Sequence, residues 1–350
     1  MRQKNFSFKT ADQNFLSTRN LDNIGSFLVS YPQLNQHYST TGHSDLIRSL
    51  RLEIVSDVDQ ATLLWQEFSQ NQTLFDTLEF RLAFFEAYKP KIHFVTLKSP
   101  TEVVGLLPLQ YEEDKQKYFW FGSWWQEENK FLVKDELYIP LLLASCPLPL
   151  NLNAISFELP TWIQKVIEFK ADDPKYILKL DLIDTLDDYL ATLDKKKRYN
   201  LKRDFRIIEA YKPEIVIDNF SDFDGLVELS KKRFFEKGEE TDWEDKRRVE
   251  AFRKVIEYGR KKISYQIRMV TIKIGSKLAA VDLVAVFNGC YYPLKCGYNV
   301  KDFPGIGNYV NLLEIKDAID LGLNKMDFLE IGYGWKDKWF ESIPLLMYEK

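Results

Sequence analysis

At one domain per ~150 residues, a chain of 350 residues points to two domains. Hydrophobic residues make up 45 % and charged residues 29 %, an ordinary globular composition, and a net charge of −4 supplies no overall attraction to nucleic acid. No run of ~18 apolar residues occurs and no apolar segment follows a basic start, so the sequence predicts no membrane span, no signal peptide and a cytoplasmic location.

The three cysteines are Cys146, Cys290 and Cys296. The last two fall in one predicted strand, about 20 Å apart, too far for a disulfide. This is the pattern of a reducing compartment. The histidines, His37, His43 and His93, all precede residue 100. The second half therefore lacks the side chains for a His/Cys zinc site or a Ser-His or Cys-His pair, and no metal is expected there. Aromatic content is 15 %. Most of these rings are expected in the core, although aromatics also line sugar-binding clefts.

Residues 1 to about 45 are rich in Ser, Thr, Asn and Gln without apolar periodicity, and most of this stretch reads as a flexible tail. Helices are predicted over 59–70 and 74–88, then strands over 91–97, 102–111 and 117–121. Residues 134–149 are apolar and broken by prolines, and no element is assigned to them. A helix over 161–169 and a strand over 175–182 follow. The second half opens with one long helix over 185–210, a short strand over 214–217 and helices over 222–237 and 243–260. Strands over 265–274, 277–287 and 291–298 are joined by Gly275-Ser276 and Asn288-Gly289, two-residue hairpin signals. A glycine-containing loop leads to a helix over 308–321, a strand over 325–331, a short helix and a strand over 343–348.

In the second half the order is strand, helix, helix, three antiparallel strands, glycine loop, helix, strand. It resembles the GNAT acyltransferase fold, and more closely the FemAB-like and CelD (BcsL)-type acetyltransferase family. The resemblance spans roughly residues 175–348 and rests on four pieces: 197–203 (KRYNLKR), 279–281 (AAV), the stretch from Gly297-Tyr298-Asn299 to Gly307, and 334–339 (GWKDKW). It implies tandem GNAT-like α/β (α+β) units with mixed, mostly antiparallel sheets flanked by helices. Residues 46–180 would be a degenerate unit and 181–350 the acyltransferase unit. Two positions depart from the family pattern: Asp302 stands where a Gln or Arg precedes the glycines, and Trp335-Lys336 replaces a closing Tyr-Lys.

Gly305, Ile306, Gly307 and Asn308 open a helix. Glycines bring the main chain close to a ligand, and a helix N-terminus offers unpaired N–H groups to a diphosphate. A plain strand-to-helix turn with Asn308 as N-cap is the other reading. The element order favours a cofactor site, with acyl-CoA as co-substrate. Acyl transfer needs a base. Glu330 is one candidate, on a strand face shared with Met326 and Phe328; a solvated strand end is its alternative. Asp282 is the second, on the face of Ala280 and Val284, against a structural buried Asp. Tyr298 and Tyr333 are candidate proton donors to a leaving thiolate, or packing residues.

The densest basic run is Lys195-Lys196-Lys197-Arg198, followed by Lys202, Arg203 and Arg206. A solvated face is the usual reading of such a run. The family match includes Arg198, Asn200 and Arg203, which implies an anionic substrate; a polyanion or anionic membrane surface is the rival. Lys336 matches the family's closing lysine and is expected to point into the cleft between the halves, with Tyr333 nearby for substrate. The expected function is transfer of an acyl group from acyl-CoA, or from aminoacyl-tRNA as the resemblance implies, to an amine or hydroxyl of a small-molecule, sugar-containing or cell-envelope acceptor. The alternatives are a non-catalytic ligand-binding module and a surface binder using the basic helix.

Overall fold

The computed structural model describes residues 32–350 apart from Ser123, Trp124, Phe157 and Tyr333. Its strands form two sheets. The first has the order β1 (Arg51–Val55), β2 (Lys91–Lys98), β3 (Val103–Glu112), β4 (Lys117–Trp120), with β5 (Leu132–Val133) also paired to β3. Helices α3 (Val58–Phe68) and α4 (Leu78–Tyr88) lie between β1 and β2 in sequence. The stretch predicted as one helix over 74–88 is a 3₁₀ turn over Leu74–Asp76 and then α4.

The second sheet runs β6 (Asn151–Ser156), β13 (Glu341–Glu349), β7 (Lys170–Lys179), β12 (Lys325–Glu330), β11 (Cys290–Tyr298), β10 (Lys277–Phe287), β9 (Gln266–Ile274), β8 (Glu214–Ile217). Strand β6 was not anticipated. Strands β6 and β7 precede residue 181, the expected start of the second unit, yet they pair with β13 and β12. The closing strand seals both halves, since Leu346 and Tyr348 pack among the first half's buried residues.

Residues 32–49 depart from the expectation of a tail. Helices α1 (Pro32–Thr40) and α2 (Ser44–Ser49) bury Leu34, Tyr38 and Ile47. Three well-placed apolar side chains suffice to anchor a polar segment whose composition hides them. Residues 1–31 lie outside the described residues. The unassigned 134–149 stretch contains α5 (Ile139–Ala144), with Pro140 in its first turn, where the missing N–H costs no helical bond. Helix α6 is Thr161–Val166.

The long helix predicted over 185–210 is two: α7 (Leu186–Thr192) and α8 (Lys195–Ala210). Leu193 is extended, and the Asp194 side chain accepts from the Lys197 N–H as an N-cap. The apolar spacing carried across the break and concealed it. Helices α9 (Phe223–Lys237) and α10 (Lys246–Lys261) follow. Both hairpin turns are present, with Asn288 at φ 46° and Gly289 at φ 70°.

One core joins the halves. Phe80, Phe84 and Trp125 from the first half pack with Phe252, Trp243 and Tyr265 from the second. Each such side chain contributes about 1.5–3 kcal/mol on burial. Helix α11 (Ile306–Asp320) lies on the other side with α8, through ring contacts such as Phe205–Tyr309.

Candidate functional site

Within the second sheet β11 and β12 form a parallel pair among otherwise antiparallel neighbours. They register only at Cys290↔Lys325 and Tyr291↔Met326. Beyond those residues the pairing stops, so a wedge opens toward Tyr298 and Glu330 at the carboxyl ends of both strands. Ligands of open α/β sheets bind at such a crevice. The loop from β11 delivers the N-terminus of α11 to the same end.

Glu330 closes β12 in unusual backbone. Leu329 and Ile331, on either side of it, both have φ 63°. Left-handed backbone at Leu and at β-branched Ile costs of order 1–3 kcal/mol each and is held only when surroundings enforce it. The enforcing group is Lys336. Its buried ammonium donates to the carbonyls of Phe328 and Glu330, both at 2.6 Å. Asp327 adds a bond from the Leu329 N–H at 2.9 Å. Lys336, expected to point into the cleft between the halves, binds the end of β12 through these two carbonyls. Its pKa is lowered by burial, against the pull of Glu127 and Asp327.

Glu127 is the residue the sequence reading missed. Its Oε2 accepts from the Glu330 N–H at 2.7 Å, which brings a first-half carboxylate to the end of β12. Burial, then the nearby Glu127 charge, pushes Glu330 well above the carboxylate range. Burial also raises Glu127, while Lys336 and Lys295 favour its ionised form. Glu330 Oε1 is buried without a partner among the described residues. Charges flank the pair: Lys175 Nζ is 2.6 Å from Glu128 and 3.7 Å from Asp327, and Lys295 Nζ is 3.0 Å from Asp242 and 5.1 Å from the Trp125 ring centroid.

Arg81 holds the loop that carries Glu127. Its buried guanidinium donates to Phe75 O at 2.6 Å, Phe121 O at 2.7 Å and Asn129 Oδ1 at 2.9 Å. The segment Gly122-Ser123-Trp124-Trp125 was singled out for a stacking surface; Trp125 instead packs in the shared core, against Phe84 and Phe252. Acidic residues two and three positions past that tryptophan pair were the available signal for Glu127 and Glu128.

Asp282 is tied to the β11 side of the wedge through Tyr298. It is buried on β10, and its Oδ2 accepts from the Tyr298 hydroxyl at 2.6 Å. Burial raises its pKa, against the bonds from Tyr298 and Glu314. Glu314, fully buried on α11, is pushed well above the carboxylate range by burial and then by Asp282. The Arg233 guanidinium lies 5.7 Å from the Tyr298 ring centroid. Burial also drives the Tyr298 phenol well above its usual range, and its hydroxyl donates to Asp282. The spacing of Val310, Glu314 and Ala318 on one helix face was a readable signal for Glu314.

Helix α11 starts at Ile306, two residues earlier than predicted. Gly305 is its N-cap, with φ 91°. A Cβ there would lie 3.1 Å from Asp204 Cβ, so glycine permits both the conformation and the approach of α8. Gly307 and Asn308 fall in the first turn, and their N–H groups have no partner among the described residues. Asn308 is not the N-cap. Its side-chain amide donates to Asp204 Oδ2 at 2.7 Å, and Arg203 holds Asp204 Oδ1 through Nη2 at 2.7 Å. Arg198 is half-buried beside the Ala191 carbonyl. Arg198 and Arg203 thus lie on α8, and Tyr333 is outside the described residues. Among the described residues no His/Cys/Asp/Glu group is arranged for a metal, and no helix is long and apolar enough to cross a membrane.

Residues 195–337 match the family model described as an acetyltransferase (GNAT) domain. No curated protein matches the chain. Among solved structures, FemX is 12 % identical at TM-score 0.55, covering 85 % of this chain and 97 % of its own. L-PGS from Bacillus licheniformis is 12 % identical at TM-score 0.52, covering 84 % and 92 %. A tandem GNAT protein from the clavulanic acid biosynthesis pathway is 11 % identical at TM-score 0.50, covering 86 % and 98 %. The fold is a tandem GNAT-like one, mixed α/β with antiparallel-rich sheets flanked by helices, and the match over 195–337 supports the GNAT acetyltransferase superfamily and transferase chemistry.

Proposed function

We propose that this chain is a FemAB-like, CelD-type acyltransferase of the cytoplasm, moving an acyl group to an amine or hydroxyl of a sugar-containing or cell-envelope precursor. The observation that carries this reading is the Glu127–Glu330 pair at the open end of the β11–β12 wedge. The acceptor's amine or hydroxyl attacks the acyl carbonyl carbon, its proton passes to the carboxyl pair, and the donor's thiol or ribose oxygen leaves. A raised pKa suits this work, because a carboxylate of ordinary pKa is too weak a base at neutral pH. Glu127 is the better acceptor of the two, since Lys336 and Lys295 keep it ionised more readily than Glu330. Lys336 is a positioning residue that fixes the backbone on which Glu330 sits.

The donor is an acyl-CoA or an aminoacyl-tRNA. The unpartnered N–H groups of Gly307 and Asn308 fit a diphosphate. When bound, acyl-CoA would supply an activated thioester. The experiment is a thermal-shift panel of acyl-CoA species, free CoA and aminoacyl-tRNA, because a ligand that binds only the native state raises apparent stability. A shift with one donor class and turnover lost in Glu127→Gln support the enzyme. Stabilisation by a ligand with no turnover on any acceptor would favour a non-catalytic binding module.

A further inference from the structure

The outward face of α8 carries Lys195, Lys196, Tyr199, Arg203, Arg206 and Ile207, all exposed. At 100° per residue these positions cluster within one side of the helix, opposite the buried Leu201, Asp204 and Ile208. No carboxylate projects among them. Asp204 is turned inward to Asn308, and Glu209 accepts from the Tyr309 hydroxyl at 2.6 Å. Lys202 borders the face and pairs at 2.9 Å with Asp187, an exposed carboxylate at its edge. Lys195, Lys196 and Arg206 make no ion pair among the described residues. A solvated helix face ordinarily mixes signs; this one is of a single sign and also exposes Tyr199 at 64 % and Ile207 at 43 %.

We infer that this face of α8 docks the protein on an anionic phospholipid surface. Cations on the polar side with an aromatic and an aliphatic side chain between them are the composition of an interfacial helix. Headgroup phosphates complement the cations. Tyr199 enters the headgroup layer, where its ring and hydroxyl each find their medium. Ile207 gains by leaving water for acyl chains and would gain nothing against a ribose-phosphate backbone. A single convex helix face also lacks the groove in which successive bases stack, which sets the lipid surface ahead of RNA. Through Asp204 and Asn308 the docked helix stands directly on the first turn of α11. Docking therefore places the wedge close to the membrane, where a lipid-linked acceptor would be presented. The inference itself rests on α8 alone and stands whether or not the acyl-transfer reading does.

The test is co-sedimentation of the full chain with vesicles of phosphatidylglycerol and phosphatidylcholine in equal parts, and of phosphatidylcholine alone. Binding is expected only to the anionic vesicles and to weaken with added salt. The triple variant K195E/K196E/R206E is expected to lose about a hundredfold in partitioning, the sum of three basic contacts. Y199S/I207S is expected to lose several-fold, with the salt dependence unchanged. All five side chains are exposed, and an unaltered thermal transition confirms that the variants fold. Equal binding of the triple variant and the parent overturns the inference. So does a charge-sensitive association with a bulk tRNA pool in the absence of vesicle binding.

Discussion

The protein contains two buried carboxyl pairs, and they behave differently. Glu127–Glu330 spans the two halves at the open end of a strand wedge; Asp282–Glu314 is sealed between β10 and α11. In both pairs burial is the leading cause of a raised pKa. The surroundings distinguish them. The first is flanked by Lys336 and Lys295, which can stabilise charge as it forms, and by strained backbone at Leu329 and Ile331. The second is served by the Tyr298 hydroxyl and has the Arg233 guanidinium at its edge. A shifted pKa marks a site only when the group can also exchange its proton with a substrate.

The largest expected effect separates the pairs by activity. Glu127→Gln should lower kcat by roughly 10²–10³-fold with little change in KM, the ordinary weight of a general base. Glu330→Gln should lower kcat less and leave the rising limb of the pH–rate profile near its place, because Glu330, raised by burial and by the Glu127 charge, is already neutral where Glu127 titrates. Asp282→Asn should leave kcat within about tenfold. Steady-state kinetics across pH decide the matter. Equal losses in Asp282→Asn and Glu127→Gln would remove the distinction.

Lys336→Met comes next. It strips the ammonium from two buried carbonyls, each worth about 1–3 kcal/mol when left unsatisfied, and relaxes the left-handed residues around Glu330. The variant should lose stability in denaturant titration and also raise the apparent pKa of the rising limb, since Lys336 is the main charge favouring ionised Glu127. A surface lysine would move neither. Loss of stability with an unshifted profile would reduce Lys336 to packing.

Much of the fold was legible because it depends on local signals. The Asn288-Gly289 turn, the alternation in β9 to β11 and the glycine loop all announce themselves over a few residues. Three features escaped for physical reasons. The break at Leu193-Asp194 was hidden by apolar spacing that stays in phase across it. Strand β6 finds its partner in β13, more than half the chain away, and nothing nearby in sequence records that pairing. Half of the Glu127–Glu330 pair escaped because the charges that act on Glu127 come chiefly from Lys336 and Lys295, in the other half. Glu330 itself was readable, but from a strand face that its backbone does not keep: Leu329 at φ 63° breaks the alternation.

A third test sharpens the comparison through stability. The Glu314 carboxyl has a folded pKa raised above its unfolded value. The folded state then holds a proton that the unfolded state releases. Stability from this group is fully present below the unfolded pKa of about 4.3 and is lost as pH rises through the folded value. Glu314→Gln mimics the neutral form at every pH. Its Tm should match the parent near the unfolded pKa and exceed it by roughly 2–4 °C at alkaline pH, the shift of a ~1 kcal/mol gain. A parallel offset at all pH values would mean that packing, not protonation, sets the difference.

The smallest expected effect concerns the donor, at the first turn of α11. Two opposing features meet there. The N–H groups of Gly307 and Asn308 are open to an anion, while the Asp204 carboxylate is held beside them by the Asn308 amide and by Arg203. Asp204 also stabilises the positive end of the helix, worth about 0.3–1 kcal/mol to the free protein. A diphosphate would enter against that charge. Asp204→Asn keeps a side chain that can bond to Asn308 and removes the repulsion, so CoA should bind about 2–5-fold more tightly, the factor corresponding to such an energy. Gly307→Val should weaken it, because its Cβ already meets the Tyr298 ring at 3.4 Å and the added methyl groups have only the ligand's side to occupy. Calorimetric titration of CoA into both variants reads the two effects in opposite directions. If neither variant changes CoA affinity, the N-terminus of α11 is a structural junction held by Asp204, and the acyl donor is held elsewhere in the wedge.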